Sequence, residues 1–211
     1  MIKVKVCGNC DPVNARHVAD TGPDMMGFIL YPDSKRYVGD DPPLALWDAV
    51  PPSTDKVGVF VDENLQKVRQ LVSRYGFSMV QLHGKEPAGY CSALQKEGIG
   101  VIKTFGVGSA FDFDRLLPYL QACDYFLFDT ETPGHGGSGQ KFKWDVLKGY
   151  TLEVPFFLSG GLGPADVQNI LNIGNDHLYA VDINSRFESA PGIKDAGLVR
   201  QFIHEIKSLQ Q

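Results

Sequence analysis

The sequence has no apolar run approaching the ~18 residues that a membrane-spanning helix needs, so no membrane partner is expected. It has no block of basic residues either. With 20 Lys and Arg against 25 Asp and Glu the net charge is −5, a balance that cannot neutralise a run of phosphates, and nucleic acid is not expected as a partner. Only four cysteines occur in 211 residues. That is too few for a disulfide scaffold, and a reducing compartment would leave them as thiols. Cys91 and Cys123 are isolated from other ligand-type residues, which reads as two core side chains and no metal site. The first six residues, MIKVKV, alternate apolar and charged side chains instead of opening a signal peptide, so a cytoplasmic location is expected. No linker or charge run divides the chain, and one domain over 1–211 is expected.

What the sequence does contain is a recurring short apolar run. Runs cover 2–6, 25–30, 56–61, 79–82, 100–105, 124–128, 154–158 and 178–183, with starts about 25 residues apart. They are rich in Val, Ile, Phe and Tyr and too continuous to alternate, as expected for parallel strands covered on both faces. Helical spacing separates them. Leu65, Val68, Leu71, Val72 and Tyr75 share one helical face, as do Leu198, Phe202, Ile203, Ile206 and Leu209. Asp11-Pro12 reads as an N-cap followed by proline at the first helical position, and Gly163-Pro164 opens another helix in the same way. Eight such units predict an α/β chain folded as a (β/α)8 TIM barrel. An open doubly wound sheet is the runner-up, disfavoured because Cys7-Gly8-Asn9-Cys10 after the first strand is no GxGxxG.

In such barrels the working residues stand at the C-terminal ends of the strands. Those positions are chemical here: Cys7 after strand one, His83 after strand four, Asp129 after strand six, Ser159-Gly160-Gly161 after strand seven, and Asp182, Asn184 and Ser185 around the end of strand eight. Arg36 lies in the loop after strand two. Taken singly, each has a plain reading as a small core thiol, a capping residue or a solvated charge. A thiol, an imidazole and a carboxylate on one rim would each lose hydration and need a partner, and their shared position points to a site. Gly160-Gly161 before a helix start lets bare backbone N–H groups approach an anion, and with Asn184-Ser185 it matches the phosphate site common in loops seven and eight of these barrels. The expected partner is therefore a phosphorylated small molecule. Cys7, as a thiolate favoured by a helix N-terminus or a cation, and Asp129, as a carboxylic acid favoured by desolvation, suggest proton transfer of the kind isomerases use, with no redox or metal cofactor.

The ordered motifs resemble one family. Lys5-Val6-Cys7-Gly8, Gly27-Phe28, Ser34-Lys35-Arg36-Tyr37-Val38, Val57-Gly58-Val59-Phe60-Val61, Val80-Gln81-Leu82-His83-Gly84, Phe128-Asp129-Thr130, Gly136-Gly137-Ser138-Gly139, Phe157 to Leu162, and Val181-Asp182 through Pro191 to Asp195 are similar to phosphoribosylanthranilate isomerases across nearly the whole chain. The resemblance implies an Amadori rearrangement of N-(5'-phosphoribosyl)anthranilate to the corresponding ketose in tryptophan biosynthesis. It implies Asp129 as general acid on the furanose oxygen and Cys7 as general base on the C2' proton. Arg36 would pair with the anthranilate carboxylate, and Gly161, Ser185 and their neighbours would hold the phosphate. The chain departs from the family pattern at Lys35, where proline is usual, at Arg186, where glycine is usual after the loop serine, and at Cys10, where a polar residue is usual.

Three rival readings remain at the level of sequence. Cys7 and Cys10 form a CxxC after a strand, the sign of a dithiol oxidoreductase, and oxidation could join them. The histidine-pathway isomerase of the same barrel superfamily uses a carboxylate where Cys7 stands. A phosphate-binding barrel without catalysis would bind ligand and not turn it over.

Overall fold

Hydrogen bonds close the eight apolar runs into a ring. The computed structural model describes residues 1–130 and 142–210, and the glycine-rich motif at 136–139 lies outside the described residues. The strands are β1 (Lys3–Val6), β2 (Met25–Ile29), β3 (Asp55–Phe60), β4 (Met79–Leu82), β5 (Gly100–Val107), β6 (Tyr125–Thr130), β7 (Phe156–Leu158) and β8 (Leu178–Ile183). All pair in parallel and in sequence order, and β8 returns to β1 with Lys3 opposite Ala180 and Val6 opposite Ile183. A ring has no edge strand, so the open doubly wound sheet is excluded and the TIM barrel stands. The eighth run matches β8 and contains Asp182, whereas β6 runs on to Thr130, so Asp129 belongs to the strand instead of following it.

The helices follow local chemistry. Asp11 caps α1 (Pro12–Ala19) by accepting from the Asn14 N–H at 2.7 Å, and Gly76, at φ 66°, ends α3 (Leu65–Tyr75) in the left-handed region that glycine adopts freely. α2 (Leu44–Asp48), α4 (Ala88–Gln95), α5 (Val167–Leu171) and α6 (Ala196–Ser208) complete the described α-helices. Units five and six break the expected alternation, because 3-10 helices at Phe113–Tyr119 and Trp144–Gly149 stand where α-helices were expected. Pro118 lacks the N–H that an α-helix would use there. In α6 the buried stripe is Val199, Phe202, Ile203 and Ile206; Leu198 and Leu209 are 36% and 55% exposed, so the stripe is narrower and turned by a residue from the expected one.

Alternation along each strand separates two cores. Val4 and Val6 point out to the helix layer, whereas Lys5 and Cys7 point into the barrel, whose interior is filled by Met25, Val57, Ile102, Leu127, Phe157 and Ala180. Between barrel and helices, Trp47 stacks on Tyr75 with ring centres 4.4 Å apart and meets Phe28 and Phe77. In the same outer layer the buried Lys103 ammonium meets Glu86 at 3.0 Å, and Glu86 also accepts the N–H groups of Asp62 and Gly84, tying down the loops after β3 and β4. Cys91 and Cys123 are buried there too, as expected.

After β8 the chain makes a short 3-10 turn, Ser185–Phe187, and an antiparallel hairpin of β9 (Glu188–Ala190) and β10 (Ile193–Lys194). The Asn14 side chain on α1 both donates to and accepts from the Lys194 backbone at 2.8 Å, which docks the hairpin beside the barrel mouth. Among the described residues no helix is long and apolar enough to cross a membrane.

Replacing Trp47 by Ala is expected to lower stability by about 3–5 kcal/mol, the scale of a large aromatic removed from a packed core, and Leu44→Ala, at a site 76% exposed, by less than about 0.5 kcal/mol. Urea denaturation with unchanged m-values checks both.

Candidate active site

A period of two along the strands puts paired side chains on the inner face just below the barrel mouth: Lys5 below Cys7, Gln81 below His83, Asp182 below Asn184. The upper members are held in line by backbone bonds that extend the ladder. The Cys7 N–H donates to the Ile183 carbonyl at 2.9 Å, and His83 N–H donates to Phe60 at 2.8 Å.

The lower members form one buried polar layer. The Lys5 ammonium donates to Asp182 Oδ1 at 2.9 Å and to Gln81 Oε1 at 2.7 Å, and it also faces the Cys7 thiol. Gln81 Nε2 lies 2.9 Å from His83 Nδ1, and His83 Nε2 lies 3.5 Å from Asp129 Oδ2. A connected path thus runs from Cys7 to Asp129 across the barrel. Gly27 makes room for it, since a Cβ there would stand 2.8 Å from Cys7 Sγ and 3.1 Å from Lys5 Nζ.

Burial sets the proton affinities. Asp129 is pushed up to about 6, chiefly by burial, against the Thr130 N–H that donates to its carboxylate at 2.8 Å. Cys7, 3% exposed, is also pushed up by burial, and the ammonium groups of Lys5 and Lys194 oppose that rise without cancelling it. The expectation of a thiolate with a lowered pKa is therefore corrected: desolvation outweighs the cations. Lys5 loses solvation by burial, yet Asp182 and Cys7 hold it protonated.

A second cluster comes from the hairpin. Arg36 donates through Nε and Nη2 to both oxygens of Glu188 at 2.7 to 3.1 Å, and Glu188 also accepts from the fully buried Lys194 ammonium. Burial opposes ionisation of Glu188, but Arg36 and Lys194 hold it below the usual carboxylate range. Lys194 donates further to Asn184 Oδ1 at 2.7 Å. Gly8, at φ 80°, admits this packing, because a Cβ would stand 2.7 Å from both Arg36 Cδ and Asn184 Oδ1.

Across the mouth, Gly160 and Gly161 have φ 93° and 67°, and a Cβ on Gly160 would strike Thr130 and approach Asp129 Oδ1. The loop therefore runs against the end of β6 with bare backbone. Ser185 begins the 3-10 turn that follows the neighbouring strand β8, and Arg186 beside it is exposed and packs near Gly163.

The structure brings Cys7, His83, Asp129 and Asp182 into one network and Arg36 and Asn184 into the adjoining one. Asp182 and Asn184, expected to meet ligand, are engaged by Lys5 and Lys194. All four cysteines are free; Cys10 turns to the Gly192 carbonyl while Cys7 faces the barrel interior, so the CxxC is no disulfide pair here. Sequence reasoning gave no role to Lys5, Gln81, Glu188 or Lys194. The first two were readable as polar residues two before Cys7 and His83 on inward faces. Nothing in the spacing signals the last two, whose contacts with Arg36 and Asn184 depend on the hairpin.

The model of the N-(5'phosphoribosyl)anthranilate (PRA) isomerase family matches residues 4–205. An N-(5'-phosphoribosyl)anthranilate isomerase of Phocaeicola vulgatus is 39% identical, covering 97% of each chain, and one of Thermotoga maritima is 37% identical, covering 99% of this chain and all of the relative. The Thermotoga maritima crystal structure superposes with a TM-score of 0.87 at 36% identity, over 99% of this chain and 100% of that one. A phosphoribosyl anthranilate isomerase in complex with reduced 1-(o-carboxyphenylamino)-1-deoxyribulose 5-phosphate superposes with a TM-score of 0.84 at 33% identity, over the same shares. With the same closed barrel and a match along nearly its full length, the chain belongs to the N-(5'-phosphoribosyl)anthranilate isomerase family, isomerases of tryptophan biosynthesis.

Proposed function

We propose that Asp129 and Cys7 act as general acid and general base in the rearrangement of N-(5'-phosphoribosyl)anthranilate to 1-(2-carboxyphenylamino)-1-deoxyribulose 5-phosphate. Asp129 gives its proton to the furanose oxygen as the C1'–O bond breaks and the anthranilate nitrogen supplies the electron pair of a C=N bond. Cys7, as thiolate, then takes the C2' proton, the C1'=C2' bond forms, and the electrons of C=N return to nitrogen. Addition of a proton at C1' with loss of the 2'-hydroxyl proton turns this enolamine into the ketose. The observation that carries this reading is the pairing of a desolvated carboxyl group and a thiol at one barrel mouth, with the Lys5 ammonium against the thiol.

The remaining residues fit the two ends of the substrate. With Nε and one hydrogen of Nη2 given to Glu188, Arg36 keeps its outer Nη1/Nη2 edge for the planar carboxylate of the anthranilate. Gly160, Gly161 and Ser185 offer backbone and hydroxyl donors to the phosphate, as in other barrels of this type. His83 lines the mouth between them, and the buried Asp182 and the half-buried Asn184 act through the lysines they hold.

Cys7→Ala and Asp129→Asn are each expected to lower kcat at least ~100-fold with the fold retained, measured by the loss of anthranilate-type fluorescence from freshly made substrate. Near-wild-type turnover in either removes that residue's role, and binding without turnover in the wild type would leave a non-catalytic barrel.

The pH profile follows from the two shifts. The productive form needs Asp129 protonated and Cys7 ionised, the reverse of their resting states between pH about 6 and the raised thiol value. Within that window the fraction is small and constant. Below about 6 the thiolate is lost tenfold per pH unit with no gain in acid, and above the thiol value the acid is lost likewise. A flat-topped profile is therefore expected for kcat/KM, and Asp129→Glu should move its acid limb. A limb that stays fixed in that variant belongs to the substrate phosphate instead.

For the carboxylate end, Arg36→Lys is expected to raise KM by roughly tenfold or more with a smaller change in kcat, because two parallel donors become one. Glu188→Gln should weaken binding of the reduced product analogue in the same direction. Unchanged affinity in both, by titration calorimetry, removes the assignment.

A further inference from the structure

The polar layer beneath the mouth contains a chain of donors and acceptors whose direction is fixed at one end. An ammonium group has three donors and no acceptor, so the Gln81 atom 2.7 Å from Lys5 Nζ is the carbonyl oxygen Oε1. The Gln81 amide nitrogen must then face His83. That nitrogen carries only donors, so His83 Nδ1, 2.9 Å away, can meet it only with a lone pair. A neutral imidazole with a bare Nδ1 carries its proton on Nε2, the atom 3.5 Å from Asp129 Oδ2.

We propose that Lys5 and Gln81 are positioning residues that fix His83 as an Nε2–H donor directed at the Asp129 carboxyl group. The proposal rests on the reading of Asp129 as the general acid. It adds what that acid requires once it has given up its proton: a neutral donor already aimed at the new carboxylate. Protonating Nδ1 as well would set N–H against N–H at Gln81, so the layer also discourages an imidazolium, which beside Asp129 would hold the acid in its spent form. The charged and titratable groups facing this chain among the described residues are Lys5 from β1, Asp182 from β8, Asp129 from β6 and Cys7 after β1. Lys5 and Asp182 neutralise one another. The orientation of Gln81 therefore survives whichever way Cys7 and Asp129 are protonated.

The test is the 15N NMR spectrum of histidine-labelled protein, with the His83→Asn variant identifying the His83 signals among the five histidines. The wild type should show a pyridine-like Nδ1 and a pyrrole-like Nε2 for His83. Gln81→Glu keeps the shape and the bond to Lys5 but offers an acceptor to Nδ1, so the proton should move onto Nδ1. In the same variant kcat should fall by roughly tenfold or more with a smaller change in KM, since Arg36 and the phosphate loops keep their places. A wild-type proton on Nδ1, rapid averaging of the two tautomers, or a Gln81→Glu spectrum identical to wild type would each overturn the proposal. Should Gln81→Glu fail to fold, Gln81→Met replaces it: loss of the amide donor should release His83 to a mixture of tautomers, and a spectrum still locked on Nε2 overturns the proposal. The spectra do not depend on turnover, so full activity in Asp129→Asn would remove the acid while leaving the tautomer result to be judged alone.

Discussion

The constraint on which this site depends is an ammonium group sealed inside a barrel. Lys5 is fully buried, and leaving it unpaired there would cost several kcal/mol, so the strands around it must supply acceptors in fixed places. Asp182 comes from the neighbouring β8 and Gln81 from β4 on the other side of the ring. The thiol of Cys7 faces the third donor. Each of these groups is oriented by the charge before any ligand arrives. Gly27 follows from the same requirement, because the ammonium and the thiol together fill the space that a side chain on β2 would take.

The hairpin after β8 does for one loop what Lys5 does for the interior. Arg36 sits in a loop that an isolated bridge of Tyr37 to Ile29 ties to β2. Lys35 stands where the family resemblance implies a stiffening proline, yet Glu188 fixes the Nε–Nη2 edge of the guanidinium from outside the loop. Glu188 in turn would be a costly buried carboxylate without Lys194, and Lys194 is held by Asn184 and, through its backbone, by Asn14. Rigidity that the loop lacks in its own sequence is thereby supplied by an ion pair across 152 residues.

The barrel was legible in the sequence because its signal is local. Each strand is a short run of Val, Ile and Phe, and each repeats at nearly the same interval. The deviations were also local in cause but not in appearance: Pro118 sits inside a segment whose apolar spacing reads as helical, and the missing N–H, not the spacing, decides for a 3-10 turn. At the site, Cys7, His83 and Asp129 announce themselves as reactive groups at strand ends, and Arg36 as a charge in the loop after the second strand. Lys5 and Gln81 do not, although their place two residues before Cys7 and His83 puts them on the same inward faces, because the period of two gives a face and not the partners found there. The expected direction of the Cys7 shift failed for the same reason: nearby cations were foreseeable, and the depth of burial that outweighs them was not.

The pair Lys5–Asp182 joins residues 177 positions apart, across the seam where the eighth strand meets the first. Until that seam forms, the lysine is wet and needs no partner; once it forms, water is expelled and the carboxylate must already be in place. Closure of the ring and completion of the polar layer are therefore one and the same arrangement, since the carboxylate reaches the ammonium only where the eighth strand lies against the first. Opening the barrel at that seam would strand the ammonium without its carboxylate, so a change that loosens β8 from β1 reaches the polar layer beneath the mouth directly.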